Sequence, residues 1–143
     1  INKLKESYNI NINYIMDHFK PESKLKLDLN KLERAIRNLL INAIESFEGS
    51  EKSEIEVETK IKGSEVLIYI KDNGKGIPIE IKNSIFHPFA TYHKKKGTGL
   101  GLPISRAIIE KHGGKLILSQ LDHWVTVFEI GLPIFNINKE TKS

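Results

Sequence analysis

Two glycine-rich segments in the second half of the chain limit its fold more than any other feature. They are Asp72-Asn73-Gly74-Lys75-Gly76-Ile77-Pro78 and Gly97-Thr98-Gly99-Leu100-Gly101-Leu102. Glycine lets backbone N–H groups approach a ligand closely, and a helix that begins after such a segment points its positive dipole end at an anion. The second segment runs into a helical pattern, and the first carries a carboxylate. Together they predict a nucleotide site, with Asp72 for a base and backbone donors for phosphates.

The composition indicates one globular domain. The chain has 143 residues, of which 39% are hydrophobic and 28% charged, with a formal net charge of +4. It contains no cysteine, which excludes disulfides, thiolate nucleophiles and thiolate zinc sites. The lysines are scattered without an aromatic-interleaved basic stripe, so we expect no nucleic-acid partner. No apolar stretch has the length of a membrane span, and no signal peptide is visible.

Hydrophobic periodicity predicts an alternation of strands and helices. Either Asp28 or Asn30 could cap the first helix, with Glu33 completing a capping box after Asn30. The Gly113-Gly114 pair is a typical helix stop. The predicted elements are a strand at 9–17, a brief alternation at 25–29, a helix at 31–47, strands at 55–59 and 66–70 around a turn at 62–64, a short helix at 78–85, a loop at 86–96, a helix from 100 to 113, and strands at 116–118 and 125–130.

Asn38 and Asn42 lie four residues apart on the predicted helix, so their amides point the same way. One interpretation is that Asn42 offers a carbonyl oxygen to Mg²⁺ while Asn38 helps to hold phosphates or a metal-bound water. The alternative is a solvated polar stripe that also contains Arg34 and Glu45. Asp72 has a similar pair of interpretations, as an acceptor for an exocyclic amine or as part of an ordinary Asp-Asn-Gly turn.

The second glycine segment matches neither of the two familiar phosphate motifs. A dinucleotide-binding fingerprint would follow a strand and place glycine where Leu102 stands, and a P-loop would continue with Gly-Lys-Ser or Gly-Lys-Thr. The physical logic of a glycine turn that leads into a helix N-terminus still holds.

Four motifs in order resemble the ATP-binding catalytic domain of sensor histidine kinases. The resemblance covers about residues 30–133. The segments are Leu32-x-Arg34-x-x-x-Asn38-Leu39-Leu40-x-Asn42-Ala43 (similar to the N box), Asp72-Asn73-Gly74-x-Gly76-Ile77 (G1 box), Ile85-Phe86-x-Pro88-Phe89 (F box), and Gly97-Thr98-Gly99-Leu100-Gly101-Leu102 with Ile104-Ser105 and His112-Gly113-Gly114 (G2 box and its helix).

This resemblance implies the Bergerat fold, a two-layer α/β sandwich in which a mixed β-sheet carries helices on one face. It also implies ATP and Mg²⁺ as cofactors. Asp72 would bind the adenine amine, Asn42 would coordinate Mg²⁺, and Asn38 would support the phosphates. Further cofactor-binding candidates are Gly74, Gly76 and Ile77 around the base, and Gly97, Thr98, Gly99, Leu100, Gly101 and Leu102 at the phosphates.

The resemblance also implies an ATP lid at residues 86–99. Phe89 would anchor it or pack in the core. Kinases of this type carry a lid lysine that is displaced here by one residue, so Lys94, Lys95 and Lys96 are candidates for the γ-phosphate, with Lys94 the catalytic candidate. Glu45 replaces a common lysine, as in nitrogen-regulation-type kinases, and segment 120–124 lacks the usual glycines.

The resemblance extends to ATP-hydrolysing proteins, namely DNA gyrase, mismatch-repair ATPases and the heat-shock chaperone. In those proteins a glutamate stands four residues before the Mg²⁺ asparagine, whereas this chain has Asn38. An amide cannot act as a general base near neutral pH, so the site suits phosphoryl transfer better than hydrolysis.

None of the five histidines lies in a phosphoacceptor motif. We expect one domain over residues 1–143, with a linker remnant at 1–8 and a frayed tail at 136–143, taken from a longer parent. The implied partners are ATP, a histidine-bearing dimerisation domain and a response regulator. The isolated domain should be monomeric and cytoplasmic, and its parent could be membrane-anchored. Two alternatives are an anti-sigma-type serine kinase and a non-catalytic ATP-sensing module.

Overall fold

The computed structural model describes residues 11–16, 23–47, 53–88 and 101–136. Neither helix of these residues has the length and hydrophobicity of a membrane-spanning segment. The elements in chain order are β1 (Asn11–Met16), β2 (Ser23–Lys24), α1 (Leu29–Glu45), β3 (Glu54–Lys62), β4 (Glu65–Asp72), a 3₁₀ turn (Ile79–Ile81), α2 (Gly101–Lys111), β5 (Lys115–Ser119), β6 (Thr126–Pro133) and β7 (Phe135–Asn136).

Five of the strands form a mixed sheet in the order β1-β3-β4-β6-β5. β1 runs parallel to β3, and the other neighbours are antiparallel. α1 and α2 pack on each other, α1 contacts β4 and α2 contacts β5. Their apolar residues join those of one sheet face in a single core, which includes Leu39, Ile109 and Phe128. The predicted two-layer α/β sandwich is therefore confirmed.

Helix α1 begins two residues before the predicted start. Of the two candidate caps, Asp28 is the N-cap, and its side chain accepts a hydrogen bond from the Lys31 backbone N–H. The predicted apolar stripe is confirmed at Leu39, which is fully buried. The alternative of a solvated polar stripe does not hold at Asn42, which is only 5% exposed.

The brief alternation at 25–29 does not form a strand, and Leu29 begins α1. One other local prediction was wrong. The helix expected from Pro78 to Ile85 is one 3₁₀ turn followed by irregular turns. Its isoleucines are β-branched and disfavour a helix, and Ile85 is drawn into the core. The hairpin at 62–64 is confirmed, with Gly63 at a φ of +61°.

The sheet face opposite the helices carries an ion-pair cluster. Lys71 is only 4% exposed, and its Nζ donates to Glu56 Oε1 at 2.7 Å and to Glu58 Oε2. Burial opposes ionisation of Glu58, but hydrogen bonds from Lys71 and Lys60 outweigh it and hold its pKa below the ordinary value. The ring of Trp124 lies 6.0 Å from Lys71 Nζ. This cluster links β3 to the C-terminal end of β4 through ion pairs.

Candidate nucleotide site

Asp72 is the last residue of β4 and is only 1% exposed. Alternation along the strand places it on the helix-covered face with Ile70. Its Oδ1 accepts hydrogen bonds from the Gly74 backbone N–H at 2.9 Å and the Ser46 hydroxyl at 3.2 Å. Its Oδ2 is buried and has no hydrogen-bond partner within the described part of the chain. The carboxyl group is thus fixed on one side and open to a donor on the other.

Burial raises the pKa of Asp72 from 3.8 to about 6, although its hydrogen bonds with Gly74 and Ser46 act in the opposite direction. Desolvation disfavours the charged form of a carboxyl group. An N–H donor that reached Oδ2 would stabilise this charge, so the site favours a ligand that brings such a donor.

Asn42 presents a second buried acceptor. Its Oδ1 lacks a hydrogen-bond partner among the described residues. Ser46, the C-cap residue of α1 and four residues after Asn42, contacts Asp72. Side chains four apart share one helix face and are about 6 Å apart, so Asn42 lies one turn from the Asp72 contact. The two open acceptors therefore both lie near the C-terminal end of α1.

Asn38 extends this line toward the second helix. It is half-buried, and its Nδ2 donates to the backbone carbonyl oxygen of Gly101 at 3.4 Å. Gly101 is the first residue of α2, and the next residue, Leu102, is buried. One face of α1 thus reaches from the start of α2 to the end of β4.

The turn after β4 depends on two glycines. A Cβ on Gly74 would lie 1.8 Å from Ser46 Oγ. Gly76 has a φ of +79°, and its Cβ would meet Val125 at 2.9 Å. Beside this turn lies a cleft of about 840 Å³, whose lining includes Gly76, Ile77 and Thr126. Neither Asn42 nor Asp72 lines this cleft, although its lining includes Thr126, the strand partner of Asp72.

Sequence reasoning missed two residues at the site. Ser46 binds Asp72 directly, and its spacing of four from Asn42 was the available signal. Thr126 pairs with Asp72 across β4 and β6 and is 6% exposed.

The segment 120–124, which lacks the glycines usual in similar kinases, still contains a residue in the left-handed conformation. This residue is Asp122, which has a φ of +48°.

Several predicted site residues lie outside the described residues. They are Phe89, Lys94, Gly97, Thr98, Gly99 and Leu100, together with most of the expected lid at 86–99 and the terminal segments 1–8 and 137–143. Among the described residues, Asn38 contacts Gly101 and Asp72 contacts Gly74, while Gly76 and Ile77 line the cleft beside the turn. Asn42 lies on α1 between Asn38 and the serine that contacts Asp72.

Comparison with known proteins finds related sequences. The family described as "Histidine kinase-, DNA gyrase B-, and HSP90-like ATPase" matches residues 27–136. The alginate biosynthesis sensor protein KinB of Pseudomonas aeruginosa is 38% identical over 112 residues, which cover 78% of this chain and 18% of that protein. The sensor histidine kinase ZraS of Salmonella typhimurium is 37% identical over 112 residues, which cover 78% of this chain and 23% of that protein. The chain thus spans about a fifth of the length of these curated relatives.

Solved structures show the same likeness. The nucleotide-free catalytic domain of histidine kinase ThkA superposes with a TM-score of 0.76 at 31% identity, covering 92% of this chain and 84% of that one. ThkA in complex with the response regulator protein TrrA gives a TM-score of 0.71 at 28% identity, covering 92% of this chain and 36% of that one.

Proposed function

Because the chain belongs to the family of histidine kinase-, DNA gyrase B- and HSP90-like ATPases, we propose that it is the ATP-binding catalytic domain of a sensor histidine kinase. In this proposal it binds Mg·ATP and transfers the γ-phosphoryl group to a histidine on a separate dimerisation domain. The observation that carries the proposal is the pair of buried acceptors, Asp72 Oδ2 and Asn42 Oδ1, that lack a partner within the described residues. A buried unpaired acceptor costs about 1–3 kcal/mol, and a ligand can recover that cost.

Asp72 is the proposed adenine contact. The exocyclic amine of adenine is a donor, and Oδ2 is the buried acceptor that is still open. Gly74 and Gly76 allow the backbone to turn beneath the base, and Ile77 packs partly against the core beside it.

Asn42 is the proposed Mg²⁺ ligand. Its buried Oδ1 fits the oxygen preference of this ion, and no cluster of three acidic or histidine side chains occurs in the described ranges. The remaining ligands would come from phosphates and water. Mg²⁺ at this position would neutralise charge on the β- and γ-phosphates.

Asn38 favours transfer over hydrolysis. It stands where a hydrolytic base would be needed, and its amide is engaged with Gly101. The N-terminus of α2 and the preceding glycine segment would bind phosphate, with Lys94 the proposed lid cation and residues 86–99 the proposed lid.

The acceptor histidine is proposed to lie on another domain. His112 has both ring nitrogens occupied, because Nε2 accepts from the Asp28 backbone N–H and Nδ1 donates to the Ile108 carbonyl oxygen. A histidine held in this way is a poor nucleophile. A response regulator would then receive the phosphoryl group, and the domain would work in the cytoplasm, where ATP is available.

The test is to mix the chain with the dimerisation domain of its parent and γ-labelled ATP. Acid-labile histidine labelling, lost in Asn42→Ala, is expected. Rapid phosphate release without labelling would overturn the proposal. Acid-stable phosphoserine on a target would indicate a serine kinase, and tight ATP binding without transfer would indicate a sensing module.

A further inference from the structure

Ser46 connects the end of α1 to the proposed base-binding segment through two atoms, its hydroxyl oxygen and its carbonyl oxygen. Its Oγ lies 3.2 Å from Asp72 Oδ1 and 2.6 Å from the Ala43 carbonyl oxygen. Its own carbonyl oxygen accepts a hydrogen bond from the Lys75 backbone N–H at 3.1 Å. No motif in the sequence assigns this residue a role.

We propose that Ser46 is a positioning residue that orients the carboxyl group of Asp72, so that Oδ2 faces the nucleotide base and the site selects a base with an exocyclic amine. This inference rests on the proposed function, because it assumes that Asp72 contacts adenine.

The two carboxyl oxygens of Asp72 are distinguished by their donors. Oδ1 is held by the Gly74 backbone N–H and by the Ser46 hydroxyl, whereas Oδ2 has no partner among the described residues. The terminal torsion of an aspartate is broad and roughly two-fold, so one donor restrains it weakly. Two donors from different directions fix which oxygen remains open. Without Ser46, the carboxyl group would rotate more freely.

The hydroxyl of Ser46 can donate its hydrogen bond to Asp72 without leaving the Ala43 carbonyl oxygen unpaired. A hydroxyl has one proton, and two acceptors lie within reach of this one. The Ala43 carbonyl oxygen also accepts from the Ser46 backbone N–H at 3.2 Å. That carbonyl therefore keeps a donor when the hydroxyl proton turns to Asp72.

The contact between Ser46 and Asp72 lies against the backbone of Gly74, where a side chain would not fit. A Cβ on Gly74 would lie 1.8 Å from Ser46 Oγ and 3.0 Å from Asp72 Oδ1. The absence of a side chain at Gly74 is what lets the hydroxyl approach the carboxyl group.

The experiment compares the affinity of the 143-residue chain for ATP and for purine riboside triphosphate, which lacks the 6-amine. The unmodified chain should prefer ATP. Ser46→Ala should weaken ATP binding roughly 5- to 30-fold and leave the analogue little changed, so the preference falls. The matched control is Ser84→Ala, because Ser84 Oγ makes the same local bond to a carbonyl three residues back, at 3.0 Å from Ile81, without a contact to Asp72. That control should keep the preference.

The outcomes separate the two proposals. If the unmodified chain shows no preference for ATP, the adenine contact of Asp72 fails. If it prefers ATP and Ser46→Ala keeps the same ratio, the serine is merely structural and the inference is overturned. Ser46→Cys, a poor donor, and Ser46→Thr, which keeps the hydroxyl, decide the matter even if the alanine variant does not fold. A preference lost with cysteine and kept with threonine supports the inference, and equal ratios overturn it.

Discussion

The side-chain amide of Asn38 donates to the backbone carbonyl oxygen of Gly101 at 3.4 Å, which joins the middle of α1 to the first residue of α2. In the proposed site, this amide occupies the position at which a hydrolysing enzyme would carry a base. If phosphates bind there as proposed, the Asn38 side chain offers a nearby water no carboxylate to accept its proton.

Replacing Asn38 tests this consequence. Asn38→Glu should raise phosphate release from ATP severalfold, because it supplies a general base. Asn38→Gln has the same length without a base and should not raise it. Release is measured in the absence of an acceptor domain. Equal release from the two variants would show that the amide is not what limits hydrolysis.

Replacing Asn42 should separate stability from function. Asn42→Leu removes a buried acceptor that has no partner in the described structure, so the free energy of unfolding should stay equal or rise by about 1 kcal/mol. Mg²⁺-dependent ATP binding should be lost. Urea denaturation and nucleotide titration with and without Mg²⁺ check the two effects. A clear loss of stability would mean that the amide supports the fold rather than a ligand.

Asp72 should make stability depend on pH. Its pKa rises from 3.8 to about 6 on folding, so the folded chain binds the proton more tightly than the unfolded chain. This contribution to stability is fully present below pH 4 and is lost as the pH rises through 6, which amounts to about 3 kcal/mol at about 1.4 kcal/mol per pKa unit. Asp72→Asn should therefore become more stable than the original chain as the pH rises from 4 to 7.

The measurement is the difference in unfolding free energy between the two chains across that pH range. Adenine binding by the original chain should also weaken below pH 6, because Oδ2 must accept a hydrogen bond from the adenine amine and a protonated carboxyl group is a weaker acceptor. A difference that stays flat with pH would contradict the burial of this carboxyl group as the cause.

Gly74 should tolerate no side chain. A Cβ there would lie 1.8 Å from Ser46 Oγ, so Gly74→Ala should displace the end of α1, lower stability by about 1–3 kcal/mol and weaken ATP binding. Gly63→Ala is the control, because its φ of +61° costs about 1 kcal/mol but its Cβ has open space. It should leave ATP affinity unchanged. Equal affinity losses in both variants would indicate general destabilisation.

The fold and the line of site residues on α1 could be predicted from sequence, because periodicity and motif order are local signals. The burial of Asn42 could not, since an amphipathic pattern assigns an asparagine to the solvated face. The buried acceptor of Asn42 is unfavourable for folding, and rules based on local sequence do not predict such a residue in the interior.

The contact between Ser46 and Asp72 was missed for a different reason. It joins residues 26 apart, and only the packing of α1 on the end of β4 brings them together. The pairing of Asp72 with Thr126 likewise depends on strand order, which the sequence pattern leaves open.

Lys71 should stabilise the sheet from the face opposite the helices. Its Nζ bridges Glu56 and Glu58 in a buried setting, so Lys71→Met would remove the buried cation from both carboxylates, leave Glu58 with Lys60 alone and cost about 3 kcal/mol. Lys60→Met is the matched control: Lys60 pairs with the same Glu58 at 3.2 Å, but its side chain is 52% exposed, and such pairs contribute less than about 1 kcal/mol. Urea midpoints measure both changes. Similar losses in the two variants would show that burial of the Lys71 pair adds nothing beyond a surface contact.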